Sequence, residues 1–269
     1  MKTVINPCYD HLTEFINNIP DYGYPWDFAK RARRNSLQKV TVGDLPMVIK
    51  RYRRPTIANC FVYTFLRKNK PQRAYEYATR LLANEIDTAR PIAYIVRKKY
   101  GLYHTGYFVS TYVEHPLLET IVDYHGAEER QIAMDFARFT VDLHEKNIAH
   151  RDFGLGNILF WKEDDRYKFS MIDINRMKFK KKLSREDCLE SMRRLGFDMP
   201  TMAMVAEEYA GLRGWNPELF CGRLMIKKGF RLQSHIKRGL KSLLASVRGF
   251  CEVLPAGIGN GTPFTLRGK

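Results

Sequence analysis

The run His150-Arg151-Asp152-Phe153-Gly154-Leu155-Gly156-Asn157 gathers an imidazole, a guanidinium, a carboxylate and an amide on one short stretch of chain. After the apolar Ile158-Leu159-Phe160, and sixteen residues past Asn157, a second carboxylate, Asp173, stands between Ile172 and Ile174. These residue types at this spacing suit the transfer of a phosphoryl group from ATP to a hydroxyl. The hydroxyl proton needs a carboxylate to receive it, and Asp152 is the candidate base. Charge builds on the phosphate oxygens during transfer, so oxygen ligands for magnesium, a hard octahedral cation, are needed as well. Asn157 and Asp173 are the candidates, with His150 and Arg151 bracing the loop. A plainer reading makes the same run a polar turn in which Asp152 caps backbone amides. Gly154 and Gly156 fit both, since glycine allows positive φ and close backbone approach to a ligand.

Elements on either side must hold these groups in place. The string reads H-R-D-x-x-x-x-N followed by an acid between β-branched residues, the pattern of a kinase catalytic loop and the strand end that follows it. Ile132, Phe136, Phe139 and Leu143 recur at helical spacing and predict a buried helix that delivers the chain to His150. A hairpin around Asp164-Asp165 leads to Asp173. Ser184-Arg185-Glu186-Asp187 matches a capping box that opens another helix, with Gly196 as its expected end. Only about ten residues separate Asp173 from that cap. There is no long segment with an A-P-E anchor, so the acceptor is expected to be compact and not a peptide.

Upstream, Thr3-Val4-Ile5 reads as a strand, and Leu12, Phe15, Ile16 and Ile19 as one face of a short helix ended by Pro20. Leu37, Val40 and Val42, a Gly43-Asp44 turn, and Met47-Val48-Ile49-Lys50 read as strands. An apolar strand ending in lysine resembles the third kinase strand, which makes Lys50 the candidate for the α- and β-phosphates of ATP. It could equally be a snorkelling surface lysine beside Arg51, Arg53 and Arg54. No glycine-rich phosphate cover precedes it; the stretch that includes Arg34 and Asn35 would have to supply charge and side-chain donors in its place. That stretch also reads as a solvated basic turn.

Residues 57–66 are apolar and aromatic between basic flanks, which suits either an anionic membrane surface or a core helix with charged ends. A helix over 71–84 follows, with Ala74, Tyr77, Ala78, Leu81 and Leu82 on one side. A kinase uses a glutamate here to orient its lysine. Glu76 is the only acid in the helix, yet it projects roughly opposite the apolar stripe. Residues 91–96 and 106–113 read as two more strands. Tyr112-Val113-Glu114 then falls where backbone groups would hydrogen-bond adenine.

At 269 residues and 45% apolar composition the chain can bury a full core and is long enough for two lobes. Its 45 Lys+Arg against 29 Asp+Glu give +16, which draws polyanions without saying whether nucleic acid, anionic lipid or phosphorylated glycan. Five scattered cysteines without a C-x-x-C pair point to a reducing compartment and no zinc site. The first residues carry prolines and charges instead of an apolar signal core, and no apolar run spans a bilayer, so a cytoplasmic location is expected. Residues 219–251 hold no acid and many bases, with Ile236, Leu240, Leu243, Leu244 and Val247 as a helical stripe that either meets a membrane or packs on the core.

With the lysine strand, the loop and the downstream acid together, the chain resembles the protein-kinase-like superfamily. Within it the likeness is to the bacterial lipopolysaccharide core kinases of the Kdo/WaaP family. Ile86-Asp87-Thr88 followed by Pro91-Ile92-Ala93 looks like that family's turn after the helix, and the glycine-bearing loop and short segment after Asp173 fit as well. The resemblance covers roughly residues 30–250. It implies an α+β, two-lobed protein-kinase-like fold, with a small antiparallel sheet and one main helix in an N-lobe (1–115), a mostly helical C-lobe (116–255) and a tail (256–269). It implies transfer from ATP, with magnesium, to a heptose or Kdo hydroxyl of the anionic core and lipid A glycolipid. The site implied is at the inner face of the inner membrane, and no nucleic-acid partner is expected. Three departures stand out: the missing glycine loop, Asn175 in place of the D-F-G glycine, and the awkward Glu76. They keep open an atypical protein kinase of the small archaeal and ribosome-associated kind, and a nucleotide-binding pseudokinase scaffold.

Overall fold

The computed structural model describes residues 1–22 and 35–229. In chain order the elements are β1 (Lys2–Ile5), α1 (Thr13–Asn18), β2 (Asn35–Val42), β3 (Leu45–Tyr52), α2 (Ile57–Phe61), α3 (Lys70–Ala83), β4 (Pro91–Lys99) and β5 (Leu102–Thr111). They continue with α4 (Ala127–Glu145), β6 (Ile148–His150), β7 (Ile158–Glu163), β8 (Arg166–Met171), β9 (Met177–Phe179), α5 (Arg185–Met192) and α6 (Met199–Leu212). A last helix, α7, occupies 217–229. Elements β1 to α6 all lie in one compact unit, Met1–Leu224.

Five strands form one antiparallel sheet in the order β1-β4-β5-β3-β2. Alternation along β3 and β5 sorts their side chains between its two faces. Met47, Ile49, Tyr107 and Val109 join Leu12, Ile16 and Ile19 in one buried core, under the N-terminal turn and α1. Val48, Lys50, Tyr52, Phe108 and Ser110, the residues between them, line a cleft. One parity therefore closes the sheet's back and the other equips its front.

Helix α3 packs on β4 and β5. Asn69 caps it, its Oδ1 accepting the Gln72 N–H at 3.0 Å. Close approach requires Gly106 on β5, where a Cβ would stand 2.6 Å from Pro71 Cγ and 2.8 Å from the Ile95 carbonyl oxygen. After α3 the segment Asp87-Thr88 reaches the far half of the molecule: the Met171 N–H donates to Asp87 O at 3.0 Å, and Thr88 Oγ1 donates to Met171 O at 2.6 Å. The Ile86-Asp87-Thr88 string thus ties the helix to the strand that ends just before Asp173.

The second half is built on α4, which packs against α6 and β8. Phe136 on α4 meets Phe153, Phe169 and Phe197 at ring separations of 5.6, 5.3 and 5.3 Å. Phe153 follows Asp152 directly and is fully buried, so aromatic packing anchors the His150–Asn157 string from beneath.

Several boundaries differ from the sequence expectation. Strand β5 begins at Leu102, because Tyr100 and Gly101 both take positive φ, 52° and 75°, and close a two-residue hairpin with β4. Helix α5 opens on the expected Ser184–Asp187 capping box but ends at Met192, before Gly196. Residues 57–66 form α2 and a following π-type turn, Val62–Leu66, whose large side chains Ile57, Phe61, Phe65 and Leu66 are exposed and not core. Arg34, the apolar stripe from Ile236 to Val247 and the tail lie outside the described residues.

Candidate active site

The front of the sheet and the β7–β8 hairpin enclose a cleft of about 440 Å³. Its walls are apolar above and below: Leu37 and Val48 come from β2 and β3, Leu159 and Met171 from β7 and β8. Tyr112 and Val113 close the end where the chain leaves β5. The Tyr112 N–H donates to Pro46 O at 2.9 Å, so that donor is committed to the sheet. Glu114 is exposed and is not among the cleft-lining residues.

Three of the groups singled out by spacing, Lys50, Asn157 and Asp173, meet at the cleft floor, and a fourth, Asp152, is tied to Asn157 just beside it. Lys50 Nζ lies 2.7 Å from Asp173 Oδ1, joining positions 123 residues apart. The Ile172 N–H donates to Asn157 O at 2.9 Å, which brings the loop amide beside Asp173. Asn157 Nδ2 donates to Asp152 O at 2.9 Å. With one amide N–H fixed there, the Asn157 side chain is oriented and its Oδ1 remains an acceptor, and it lines the cleft together with Asp173.

Asp173 adopts a left-handed backbone, φ 51° and ψ 48°, a conformation uncommon outside glycine. Burial pushes its carboxyl pKa up, but the Lys50 charge and hydrogen bond outweigh this and hold it below the ordinary aspartate value. His150 Nε2 lies 3.3 Å from Asp173 O, and because a carbonyl only accepts, that nitrogen carries the proton. Burial lowers the His150 pKa, which keeps the ring neutral in this role. His150 therefore holds the Asp173 backbone and braces the loop.

The Asp152 carboxylate is steered by two arginines. Arg194 Nη1 donates to Oδ1 at 2.7 Å, while Arg176 Nη1 stands 3.5 Å from Oδ2. The tighter contact fixes the carboxylate plane, and Oδ2 is the less engaged oxygen. Arg194 stands 42 residues from Asp152 in sequence and no local pattern marks it. Arg176, three residues after Asp173, and Phe153 could have been flagged by proximity to the motif. Asn175 Nδ2 donates to the Tyr52 hydroxyl at 2.7 Å, so the residue standing at the D-F-G glycine position stitches the loop to β3. Tyr52 is buried, and its hydroxyl pKa is pushed far above the usual range, first by that burial.

Other candidates fall elsewhere. Glu76 faces Lys68, whose Nζ lies 2.7 Å from Oε2, and accepts from Gln72 Nε2 at 3.0 Å; it does not line the cleft with Lys50. The helical wheel explains this, since the inward face of α3 carries Arg73, Ala74 and Tyr77. Asn35 begins β2, where its partner is Tyr52.

A family model described as the lipopolysaccharide kinase (Kdo/WaaP) family matches residues 31–213. The chain belongs to this family. As a Kdo/WaaP lipopolysaccharide kinase it is a phosphotransferase with an alcohol group as acceptor. A solved structure described as WaaP in complex with acyl carrier protein superposes with a TM-score of 0.56 at 15% identity, covering 83% of this chain and 99% of that one. This match shows the kinase-like fold of the Kdo/WaaP chain. A crystal structure of WbdD also matches, with a TM-score of 0.42 at 13% identity, over 77% of this chain and 46% of that one. No curated protein sequence matches.

Proposed function

We propose that this lipopolysaccharide kinase transfers the terminal phosphoryl group of ATP, with magnesium, to a heptose or Kdo hydroxyl of the core and lipid A glycolipid. The observation that carries this reading is the meeting of Lys50, Asn157 and Asp173 at the floor of one apolar cleft, with Asp152 hydrogen-bonded to Asn157 and lining the adjoining cavity that shares Asp173. A flat base fits between Leu37 and Val48 on one side and Leu159 and Met171 on the other. Lys50 is positioned to meet the α- and β-phosphates of the nucleotide. Among the described residues no group of three or more His, Cys, Asp or Glu side chains could hold a metal. This donor set fits magnesium, which is bound through one or two protein oxygens together with substrate phosphates. Asn157 Oδ1 and the Asp173 carboxylate are those oxygens. Bound there, the ion would offset the charge that gathers on the phosphate oxygens. Asp152 Oδ2 then receives the proton of the attacking hydroxyl, while Arg194 keeps the carboxylate aimed.

We place the enzyme against an anionic membrane surface. No helix among the described residues is long and apolar enough to cross a membrane. Ile57, Phe61 and Phe65 recur at every fourth residue and leave apolar faces exposed, with Leu66 beside them. Arg53, Arg54 and Arg67 flank them. Such a face can enter the headgroup layer while its arginines meet anionic lipid.

Incubation with labelled Mg-ATP and core glycolipid tests the reading. Label in the glycolipid and a mass gain of one phosphate are expected, with transfer abolished by chelation. Label appearing only in protein would overturn it in favour of a protein kinase, and magnesium-dependent ATP binding without turnover would favour a scaffold.

A further inference from the structure

Beside the catalytic aspartates lies a second cavity, of about 620 Å³, that shares Tyr52, Asp173 and Asn175 with the nucleotide cleft and adds Asp152. Its two acids are both already answered by cations, Asp152 by Arg194 and Arg176, and Asp173 by Lys50. Five further basic side chains line it: Arg67, Lys70, Arg73, Arg151 and Lys178. Positive charge gathered in a concave wall of low dielectric draws anions far more strongly than the same charge spread over a convex surface.

Arg73 is the informative one. It sits on the inward face of α3 and is 9% exposed. Its Nε has no hydrogen-bond partner, and no acid pairs with its guanidinium among the described ion pairs. Burying a guanidinium without an anion or full hydrogen bonding is costly. The helix that was expected to offer a glutamate to the site presents an arginine instead, and its glutamate is spent outside on Lys68.

Resting on the phosphoryl-transfer reading above, we infer that this cavity is a receptor for a second anionic group, a phosphate or carboxylate already carried by the acceptor, with Arg73 as its innermost contact. The acceptor class is thereby narrowed to a sugar whose reacting hydroxyl lies within a few bonds of an existing anionic substituent. Arg73 is a binding residue for that substituent. Asp152 lines the same cavity, so the anchored substituent and the base act on one molecule from one side.

The alternative source of anionic oxygens is the nucleotide's own terminal phosphate, and the test separates the two. Inorganic phosphate is titrated into the full-length protein saturated with magnesium and a non-hydrolysable ATP analogue, and binding is read by calorimetry. Wild type is expected to bind phosphate in this state, Arg73→Gln at least tenfold more weakly, and Arg73→Lys in between. Analogue affinity should stay within twofold in all three. Lys178→Gln, an outer-wall change, should weaken phosphate by a smaller factor and serves where Arg73→Gln does not fold. In turnover, Arg73→Gln should raise the KM for the glycolipid and leave the KM for ATP unchanged. The proposal is overturned if phosphate fails to bind beside the analogue, if neither variant alters its affinity, or if Arg73→Gln weakens the analogue instead. Loss of analogue binding by the wild type would count against the nucleotide cleft itself, so the two failures are distinguishable.

Discussion

Acid should destabilise this protein through one histidine that takes no part in the chemistry. His144, on α4, is buried, its Nδ1 2.9 Å from the Tyr209 hydroxyl and its Nε2 without a partner. Burial, and then the nearby Arg213 charge, push its pKa down from 6.5 to about 3. The unfolded chain therefore takes up a proton below about pH 6.5 that the folded protein refuses until about pH 3, so stability rises with pH across that window. The contribution is complete above pH 6.5 and is lost as pH falls toward 3. With about 1.4 kcal/mol per unit, the loss relative to pH 8 is about 2 kcal/mol at pH 5 and about 3 kcal/mol at pH 4. His150, also lowered by burial, acts in the same direction. Asp187, held at about 2 despite its burial by Lys180 and the Ser184 cap, matters only below about pH 4. Urea unfolding at pH 8, 6, 5 and 4, for wild type and His144→Gln, reads the effect. The variant should lose about 2 kcal/mol less than wild type between pH 8 and 5. Identical pH slopes for the two proteins would refute the assignment of the refused proton to His144.

Three further outcomes are expected. Gly106→Ala should cost about 1–3 kcal/mol in chemical denaturation, because the Ile95 carbonyl is backbone and cannot step aside for the new methyl; unchanged stability would mean that α3 is not seated as described. Ser184→Ala removes the hydroxyl that accepts the Asp187 N–H at 3.2 Å, and should cost about 1 kcal/mol in the same assay. Phe65→Ser with Leu66→Ser should weaken sedimentation with anionic vesicles at least tenfold while leaving Mg-ATP affinity unchanged. Vesicle binding that is indifferent to both changes would remove the membrane-facing role of that turn.

Much of the site was legible because its chemistry is written as short strings and as parity. The loop from His150 to Asn157 carries its own spacing, and alternation along the apolar strand that carries Lys50 specifies which face the amine takes, although β3 runs on to Tyr52. What escaped was whatever depends on contacts between distant segments. Arg194 reaches Asp152 from the turn after α5, with nothing in its neighbourhood to mark it. Glu76 drew attention by being the only acid in its helix, yet the wheel already turned it away, and Arg73 on the inward face drew none. The exposed side chains of 57–66 were ambiguous for a different reason, since an apolar run between charges has the same composition on a surface as in a core. The β4–β5 turn was missed because Tyr100, a non-glycine residue, takes positive φ there.

In the proposed transfer Asp152 is the group that takes the acceptor proton. Single-turnover phosphate transfer from Mg-ATP to core glycolipid, compared between wild type and Asp152→Asn, measures this directly. The variant should bind Mg-ATP as tightly as wild type and transfer phosphate about 10²–10⁴ times more slowly. Transfer within a few-fold of wild type would contradict it.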